Sequence, residues 1–360
     1  MEPFLNKKRG TFMTRYSTGL YRIGMLPVNR RHLLKLGAAG AGVLATPFLL
    51  RSGALAQEVM ELRIGTDGTG ESPGGVAVKA FADQLNAKNV GLKATVYNNA
   101  SLGGEREMAE SVRLGTLDAS VASAGNIASF SPKFSIFDLP YVFSDANGAN
   151  CAMDGGVGKV LAAEVNDKLR AKVLCSWSYG TRDVWNSKHP IGKPDDFHGL
   201  KLRVQQSAVQ VATLNALGAQ AVPISFGELY TSLQTGVVDG ADNGVGDVLT
   251  EKFYEVTKYF SMTEHFTAMV MMLLSNSTWD KLSQEQKDAI TEVAAASQKV
   301  GRDRQVELEA FALGEVKKFG IIFNDIPDKT AFKELVKPIY DKFVDKIGQD
   351  LLDLAQKSSC

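Results

Sequence analysis

The feature that most constrains the fold is an alternation of strand and helix patterns along residues 61–122. Three segments of alternating apolar residues predict strands, and the two segments between them show the apolar spacing of helices. The strands are predicted over 61–66, 92–97 and 117–122, and the helices over 76–88 and 105–114. Strands separated by helices pair in parallel and form a sheet with helices on its faces. The segment therefore predicts an α/β lobe.

The same alternation begins a second time near residue 183. Before that point, a helix is predicted over 157–169 and a strand over 171–177. After it, strands are predicted over 200–204, 221–223 and 237–240, with helices over 208–217 and 227–235. We predict a first lobe over 57–182, completed by C-terminal segments, and a second α/β lobe over 183–275. Because no low-complexity linker separates them, the lobes are expected to exchange strands where the chain crosses.

A single long helix is predicted after the second lobe. Ser283 and Gln286 have the spacing of a capping box, and the helical pattern continues to about Lys318 without proline. At 1.5 Å per residue such a helix is about 50 Å long, which exceeds one small lobe. We expect a helix over 283–320 that spans both lobes, followed by a C-terminal strand and helices over 321–360.

The first 56 residues have the pattern of a bacterial signal peptide. Arg30 and Arg31 precede an apolar run over 36–50, and the small-residue motif Ala54-Leu55-Ala56 follows. The arginine pair indicates the twin-arginine route. A membrane anchor is the alternative, but the run of about 15 residues is shorter than the roughly 20 that span a bilayer. We expect cleavage near Ala56 and export to the periplasm.

Without that segment the chain is acidic. Nine of the 40 basic residues and one of the 40 acidic residues lie in 1–56, which leaves 31 basic and 39 acidic residues. Nucleic acid is therefore not an expected partner, because phosphate binding needs a basic surface. A small anion is compatible with this charge, since a site for one needs only one or two local cations.

The residues that usually carry catalysis or metal binding show no matching pattern. His189, His198 and His265 are far apart in the chain, and the sequence has no H-E-x-x-H, G-x-S-x-G or P-loop motif. We therefore expect no catalytic residue, no metal and no cofactor. The cysteines leave two alternatives open: Cys151 and Cys175 pair in an oxidising compartment, or they are buried thiols.

Arg203 is the strongest candidate for a binding residue. It lies inside an apolar strand between Leu202 and Val204, and a buried arginine is costly without an anionic partner. Its planar guanidinium matches a carboxylate through two parallel hydrogen bonds. The residues alone leave two other interpretations open, an internal ion pair and an outward-facing strand position.

A series of motifs, in order from about residue 61 to 280, gives a specific resemblance. The motifs are Leu102-Gly103-Gly104-Glu105-Arg106-Glu107, Phe137-Asp138-Leu139-Pro140-Tyr141-Val142-Phe143, Gly199-Leu200-Lys201-Leu202-Arg203, Gly227-Glu228-Leu229-Tyr230, Leu233-Gln234-Thr235-Gly236, Val237-Val238-Asp239-Gly240-Ala241-Asp242-Asn243 and Lys252-Phe253-Tyr254-Glu255-Val256. Together they resemble the DctP-type solute-binding subunits of tripartite ATP-independent periplasmic (TRAP) transporters. The resemblance implies a two-lobed, type II-like periplasmic binding protein with a helix spanning both lobes. It also implies a receptor that is not an enzyme.

The resemblance assigns roles to four residues. The strand arginine that clamps the ligand carboxylate in this family corresponds to Arg203, and a second arginine corresponds to Arg182. The asparagine that ends the Val-Asp-Gly-x-x-Asn motif corresponds to Asn243, whose amide can donate to a carboxylate oxygen. Phe226 corresponds to an aromatic residue that packs on the ligand.

Loops after the first and third strands hold candidates for ligand specificity. Asp67 and Glu71 follow the first strand, where turn and N-cap chemistry is an equally good explanation. Ser123 and Asn126 follow the third strand. Sialic-acid receptors of the family that this chain resembles carry a glutamate and an arginine at the two corresponding positions. That departure argues against sialic acid. The further candidates are Trp177, Tyr179 and His265.

Small polar and acidic side chains suit hydroxyl groups, so the expected ligand is a sugar acid such as a uronate or an aldonate. A dicarboxylate, a keto acid and an aromatic acid stay open as alternatives. The resemblance implies the small and large integral membrane subunits of a TRAP transporter as partners. Two rival functions are a receptor for an ATP-driven importer, which would share the lobes, and a periplasmic enzyme acting on an organic acid.

Overall fold

The structure, a computed structural model, describes residues 59–358 and residue 360. The signal peptide predicted over 1–56 lies outside these residues. The strands are β1 (Met60–Gly65), β2 (Leu92–Tyr97), β3 (Ala119–Ser123), β4 (Ala171–Asn186), β5 (Lys201–Val204), β6 (Gln220–Pro223), β7 (Gly240–Asn243), β8 (Tyr259–Ser275) and β9 (Ile322–Asp325). The α-helices are α1 (Pro73–Ala87), α2 (Glu105–Leu114), α3 (Ala124–Ile127), α4 (Ala146–Asp154), α5 (Gly156–Glu164), α6 (Ala208–Ala216), α7 (Leu229–Gln234), α8 (Val245–Thr250), α9 (Asn276–Trp279), α10 (Gln284–Lys318), α11 (Thr330–Ile347) and α12 (Gln349–Gln356).

These strands form one sheet in the order β2-β1-β3-β8-β4-β7-β5-β6, with β9 paired to β8. Strand β1 pairs in parallel with β2 and β3, and β5 pairs in parallel with β6 and β7. Helices α1 and α2 connect the first parallel set, and α6 and α7 connect the second. The predicted α/β class with two similar halves is confirmed.

The two long strands β4 and β8 run antiparallel through both halves of the sheet. The C-terminal part of β8 pairs with β3, whereas its N-terminal part pairs with β9. The last residues of β4, 183–186, pair with β7. Each half of the sheet therefore contains part of both long strands. This is the strand exchange expected because no low-complexity linker separates the two lobes in the sequence.

The crossing is marked by irregular pairing in β4. Its register against β8 shifts between Ser178 and Gly180 and again between Arg182 and Val184. Gly180 has a φ of +79°, which a residue with a side chain rarely adopts. Extra residues of this kind bend a strand and re-aim its side chains. We propose that the boundary between the lobes lies here, at residues 182 and 183.

The predicted strands differ from the structure at three places. Strand β8, Tyr259–Ser275, was not predicted at all. The strand predicted over 237–240 lies at Gly240–Asn243, because Gly236, with a φ of +73°, begins a turn that extends to Asp239. The strand predicted over 171–177 continues to Asn186, although its alternation stops. Polar side chains in this part of β4 form hydrogen bonds with β8. The hydroxyl of Ser178, for example, donates to the carbonyl of Ala268 at 2.7 Å.

Helix α10 runs unbroken for 35 residues. Its capping box is formed, since the hydroxyl of Ser283 accepts the amide of Gln286 and the side chain of Gln286 accepts the amide of Ser283. Val293 packs in the core with residues of β1, β2 and β3, whereas Val316 packs with residues of β4, β7 and β8. The spanning helix is confirmed. Within residues 59–358, every helix falls short of the length or the apolar character that a membrane crossing requires.

The cysteine pairing differs from the one considered from the sequence. Cys151 on α4 is bonded to Cys360, 209 residues away, with 5.8 Å between their Cα atoms. Cys175 is a free thiol on β4 and is buried in the core. A bond between Cys151 and Cys175 is therefore wrong, because Cys175 is enclosed in the core while α12 brings the chain end back to α4.

Candidate functional site

A cavity lies where β4 and β8 cross between the lobes. Its wall combines residues that follow β1, β3 and β5 with residues of β4, β7 and β8. Ligands of open α/β sheets bind outside the carboxyl ends of strands, and this cavity has that position. The predicted binding residues that line it are Asp67, Ser123, Tyr179, Arg182, Phe226 and Asn243.

Arg203 does not itself line this cavity and is only 1% exposed, but it contacts a residue of the cavity wall. Its Nε atom donates to the carbonyl of Ile224 at 2.8 Å, and both terminal nitrogens lack a hydrogen-bond partner within residues 59–358. The guanidinium lies 5.6 Å from the centre of the Phe226 ring, which lines the cavity. Burial and the charge of Arg182 lower the pKa of Arg203 to about 10. The fold thus holds a buried cation without a hydrogen-bonded acid.

Arg182, in contrast, is already paired. Its Nε atom donates to Oδ2 of Asp242 at 2.7 Å, and a terminal nitrogen donates to the backbone carbonyl of Asp242. Nε2 of His265 lies 3.5 Å from the same Oδ2 atom. Burial opposes ionisation, but the charge of Arg182 and the proximity of His265 lower the pKa of Asp242 to about 2. His265 lies beside this ion pair and does not line the cavity.

Asn243 is buried at the end of β7 and lines the cavity. Its Nδ2 atom donates to Oδ2 of Asp247 at 2.8 Å. Its Oδ1 atom is buried without a partner in the described part of the chain. In this arrangement the amide offers the cavity an acceptor, so the donor role assigned from the resemblance stays a prediction.

Ser123 and Asn126 belong to a buried network centred on Glu105. One oxygen of Glu105 accepts the amide of Ser123 at 2.7 Å, the hydroxyl of Ser123, and Nδ2 of Asn126 at 2.7 Å. Oδ1 of Asn126 accepts the amide of Gln206 at 3.0 Å, which links α3 to the loop after β5. Ser123 lines the cavity, whereas Asn126 lies behind it.

The loop after β1 places Asp67 in the cavity and leaves Glu71 outside it. Burial and the charge of nearby carboxylates raise the pKa of Asp67 well above its ordinary value. Glu71 is exposed, so a contact between its side chain and the ligand has no support in this geometry. Glu251 is another acid of the cavity wall, and its Oε1 atom accepts the amide of Thr69 at 3.1 Å.

The two aromatic candidates on β4 have different positions. Tyr179 lines the cavity, and burial raises the pKa of its hydroxyl well above the usual range. Trp177 is fully buried in the core with residues of α1 and α10 and does not line the cavity. Both residues pack against the same core, and the register of β4 shifts between Ser178 and Gly180, at the position of Tyr179.

The comparison with protein families is decisive. The model of the DctP family, described as bacterial extracellular solute-binding protein, family 7, matches residues 64–347. The chain belongs to this family.

Relatives in the DctP family cover most of this chain. The 2,3-diketo-L-gulonate-binding periplasmic protein YiaO of Escherichia coli is 32% identical over 295 residues, which are 81% of this chain and 90% of YiaO. The sialic acid-binding periplasmic protein SiaP of Vibrio cholerae is 34% identical over 281 residues, 77% of this chain and 86% of SiaP.

Solved structures of TRAP solute-binding proteins share the two-lobed fold. The sugar acid binding protein DctPAm of Advenella mimigardefordensis, in complex with galactonate, is 34% identical with a TM-score of 0.81 and covers 84% of this chain and 99% of its own. A TRAP periplasmic solute binding protein of Chromohalobacter salexigens with bound D-glucuronate is 31% identical with a TM-score of 0.79, covering 83% of this chain and 100% of its own. The predicted family and fold are confirmed.

Four lining residues of this DctP-family protein with acidic or amide side chains were not predicted from the sequence: Glu105, Gln205, Asp247 and Glu251. A signal existed for three of them. Gln205 follows Arg203 by two positions and so shares its face of the strand, and Asp247 and Glu251 are four residues apart, the spacing of one helix face. In the part of the chain that the structure describes, these acids and the other metal-binding residue types form no group of three close enough to hold a metal ion.

Proposed function

We propose that this protein is the extracytoplasmic receptor of a TRAP-type secondary importer and that it binds a small sugar acid, such as a uronate or an aldonate. The observation that carries the proposal is Arg203, a buried guanidinium whose two terminal nitrogens lack partners beside a cavity. A buried cation without an acid is costly, and a carboxylate matches its two free donors in geometry and charge. The anion that completes this site is the carboxylate of the ligand.

Acceptors on the cavity wall support a sugar acid over a simple acid. Asp67, Asp247, Glu251 and the free Oδ1 atom of Asn243 all face the same space. Hydroxyl groups are the uncharged donors that such acceptors bind. Galactonate and D-glucuronate, which are bound in two of the related structures, each combine one carboxylate with several hydroxyls.

The proposed mechanism is closure of the lobes around the ligand. The cavity wall comes from both halves of the sheet, so a bound acid contacts both lobes and favours the closed arrangement. Closure excludes water, and the lower local dielectric strengthens the pairing of Arg203 with the carboxylate. The closed receptor then docks on the small and large membrane subunits of the transporter. No residue has a catalytic role in this proposal.

Export to the periplasm, with cleavage near Ala56, belongs to the same proposal. The bond between Cys151 and Cys360 supports an oxidising compartment, where disulfides persist. N-terminal sequencing of the protein recovered from the periplasmic fraction tests this point. A first residue near 57 is expected, and an intact amino terminus in the membrane fraction would contradict it.

Binding is tested first by a thermal-shift screen against organic acids, since a ligand raises the melting temperature of the state it binds. Calorimetry on the best acid then compares the wild type with Arg203→Ala and with Arg113→Ala, a control in a surface ion pair with Glu110. We expect Arg203→Ala to weaken binding by about 100-fold or more, because it leaves a carboxylate buried without its partner. Near-normal affinity of Arg203→Ala, or conversion of the acid detected by mass spectrometry, would overturn the proposal.

A further inference from the structure

We propose that Asp67, Asp247 and Glu251 make this receptor select sugar monocarboxylates and reject the dicarboxylates of the same chain length. In chemical terms, an aldonate binds and the corresponding aldarate, which carries a second carboxylate in place of the terminal hydroxyl, does not. The inference rests on the proposed function and narrows its ligand class.

The charges around the cavity are unequal. The three carboxylates lie on its wall together with Glu105. Two cations oppose them, but Arg182 is committed to Asp242, as described above. Arg203 is thus the uncommitted cation of the site among the residues described, and one carboxylate of the ligand suffices to neutralise it.

The wall offers acceptors for hydroxyls and few donors for a second carboxylate. Asp247 accepts one hydrogen bond from Asn243 at 2.8 Å, and Glu251 accepts one from the amide of Thr69 at 3.1 Å. Within residues 59–358, no hydrogen bond reaches the carboxylate of Asp67. Oxygens of all three acids are therefore open to hydroxyl donors.

Asn243, whose amide is oriented by its hydrogen bond to Asp247, points to the same ligand chemistry. Its side chain is 3% exposed and lines the cavity, and its Oδ1 atom has no partner in the described part of the chain. A buried amide oxygen needs a donor, and a ligand hydroxyl provides one. A carboxylate at this position would face an acceptor instead.

The acids already oppose each other's ionisation. Burial raises the pKa of Glu251 to about 7, and the charges of Asp247 and Glu71 contribute to the shift. Burial raises the pKa of Asp247 also. A second ligand carboxylate entering this space therefore arrives with a proton or binds weakly.

The pKa of Asp67 is also raised. Burial is the largest cause of its raised pKa, and the charges of Glu105, Glu251 and Asp247 act in the same direction, whereas Arg203 acts against them. Lowering the pH neutralises acids with raised pKa values first. Rejection of a dicarboxylate is expected to weaken as these groups are protonated.

The test uses two matched pairs of probes, D-galactonate with D-galactarate and D-gluconate with D-glucarate. Each pair differs only in the terminal group, so calorimetry at pH 8 isolates the effect of the second carboxylate. The comparison is made in the pair whose aldonate has the higher affinity. In that pair we expect the aldonate to bind at least 50-fold more tightly than the aldarate. Equal affinities, or a tighter aldarate, would overturn the inference while leaving an organic-acid receptor intact.

The double variant Asp67→Asn, Glu251→Gln is expected to reduce that ratio below 10-fold. Glu228→Gln is the control, because Glu228 is an exposed acid two residues from Phe226 that does not line the cavity. If the double variant fails to fold, the wild type at pH 5.5 serves instead, where the ratio is expected to fall several-fold; an unchanged ratio counts against the inference.

The two proposals fail in distinguishable ways. Binding of succinate with no sugar acid of either pair bound overturns the selectivity and the sugar-acid class, and leaves a receptor for organic acids standing. A screen in which no carboxylate raises the melting temperature overturns the proposed function itself.

Discussion

Nε of Arg182 lies 2.7 Å from Oδ2 of Asp242, and both side chains are buried. The partners are 60 residues apart in the chain, on β4 and β7. The pair consumes the charge of Arg182 and leaves Arg203, on the neighbouring strand β5, without a hydrogen-bonded acid. Arg182 is therefore neutralised by an acid of the protein itself, whereas Arg203 is free to pair with an anion from outside.

Replacing Arg182 with alanine is expected to destabilise the ligand-free protein by about 3–5 kcal/mol, because Asp242 would stay buried without its partner. Urea denaturation measures the loss. In the double variant Arg182→Met, Asp242→Leu the isolated charge is gone, and most of the loss should be recovered. If the single variant unfolds at the wild-type urea concentration, the ion pair has no structural role.

Replacing Arg203 with methionine should not lower the free energy of unfolding of the ligand-free protein by more than about 1 kcal/mol. The substitution removes a buried charge and one hydrogen bond, that to the carbonyl of Ile224. The lost bond is worth about 1 kcal/mol, so stability should stay within about 1 kcal/mol of the wild type or rise. A large loss in the same denaturation experiment would show that Arg203 has an internal partner and would weaken its assignment to the ligand.

Stability of the ligand-free protein should depend on the ionisation of Asp183. Burial raises the pKa of Asp183 to about 7, although the amide of Glu264 donates to its carboxylate at 2.8 Å. A carboxyl with a raised folded pKa stabilises the fold below its unfolded pKa, and this contribution is lost as the pH rises through the folded value. From this group alone, stability should fall by about 2 kcal/mol between pH 5 and pH 7.

The variant Asp183→Asn keeps the acceptor and removes the titration, so its melting temperature should vary less between pH 5 and pH 8 than that of the wild type. Asp341→Asn is the matched control, because Asp341 is exposed on α11. Parallel pH profiles for the wild type and Asp183→Asn would show that the carboxyl is ionised throughout this range.

Reduction of the bond between Cys151 and Cys360 should destabilise the protein by roughly 2–4 kcal/mol, because the bond closes a long loop in the unfolded chain. Differential scanning fluorimetry with and without dithiothreitol measures the shift, and Cys360→Ser should be insensitive to the reductant. Thiol titration of the unfolded, unreduced protein provides the count. One reactive thiol per chain, from Cys175, agrees with the structure, and three would contradict it.

How far the sequence predicts the site depends on where the partners of each residue lie. Arg203 could be found because its neighbours Leu202 and Val204 make burial evident within three residues. Glu71 was a misleading candidate, because a position on a loop after a strand does not say which side chains turn inward. Glu251, which directly follows α8, fills that part of the wall. It is 182 residues from Thr69 in the chain, and no local pattern indicates their contact.

The sequence by itself determined the α/β class, the capped helix from Gln284 to Lys318 and an arginine inside an apolar strand, because each depends on spacing within a few turns or a single strand. Only the tertiary structure decided that Arg182 is neutralised by Asp242, that β4 and β8 run through both lobes, and that Cys360 bonds to Cys151. Charge balance, strand pairing and disulfide formation depend on distances in space between residues far apart in the chain, and the order of residues does not contain those distances in any local form.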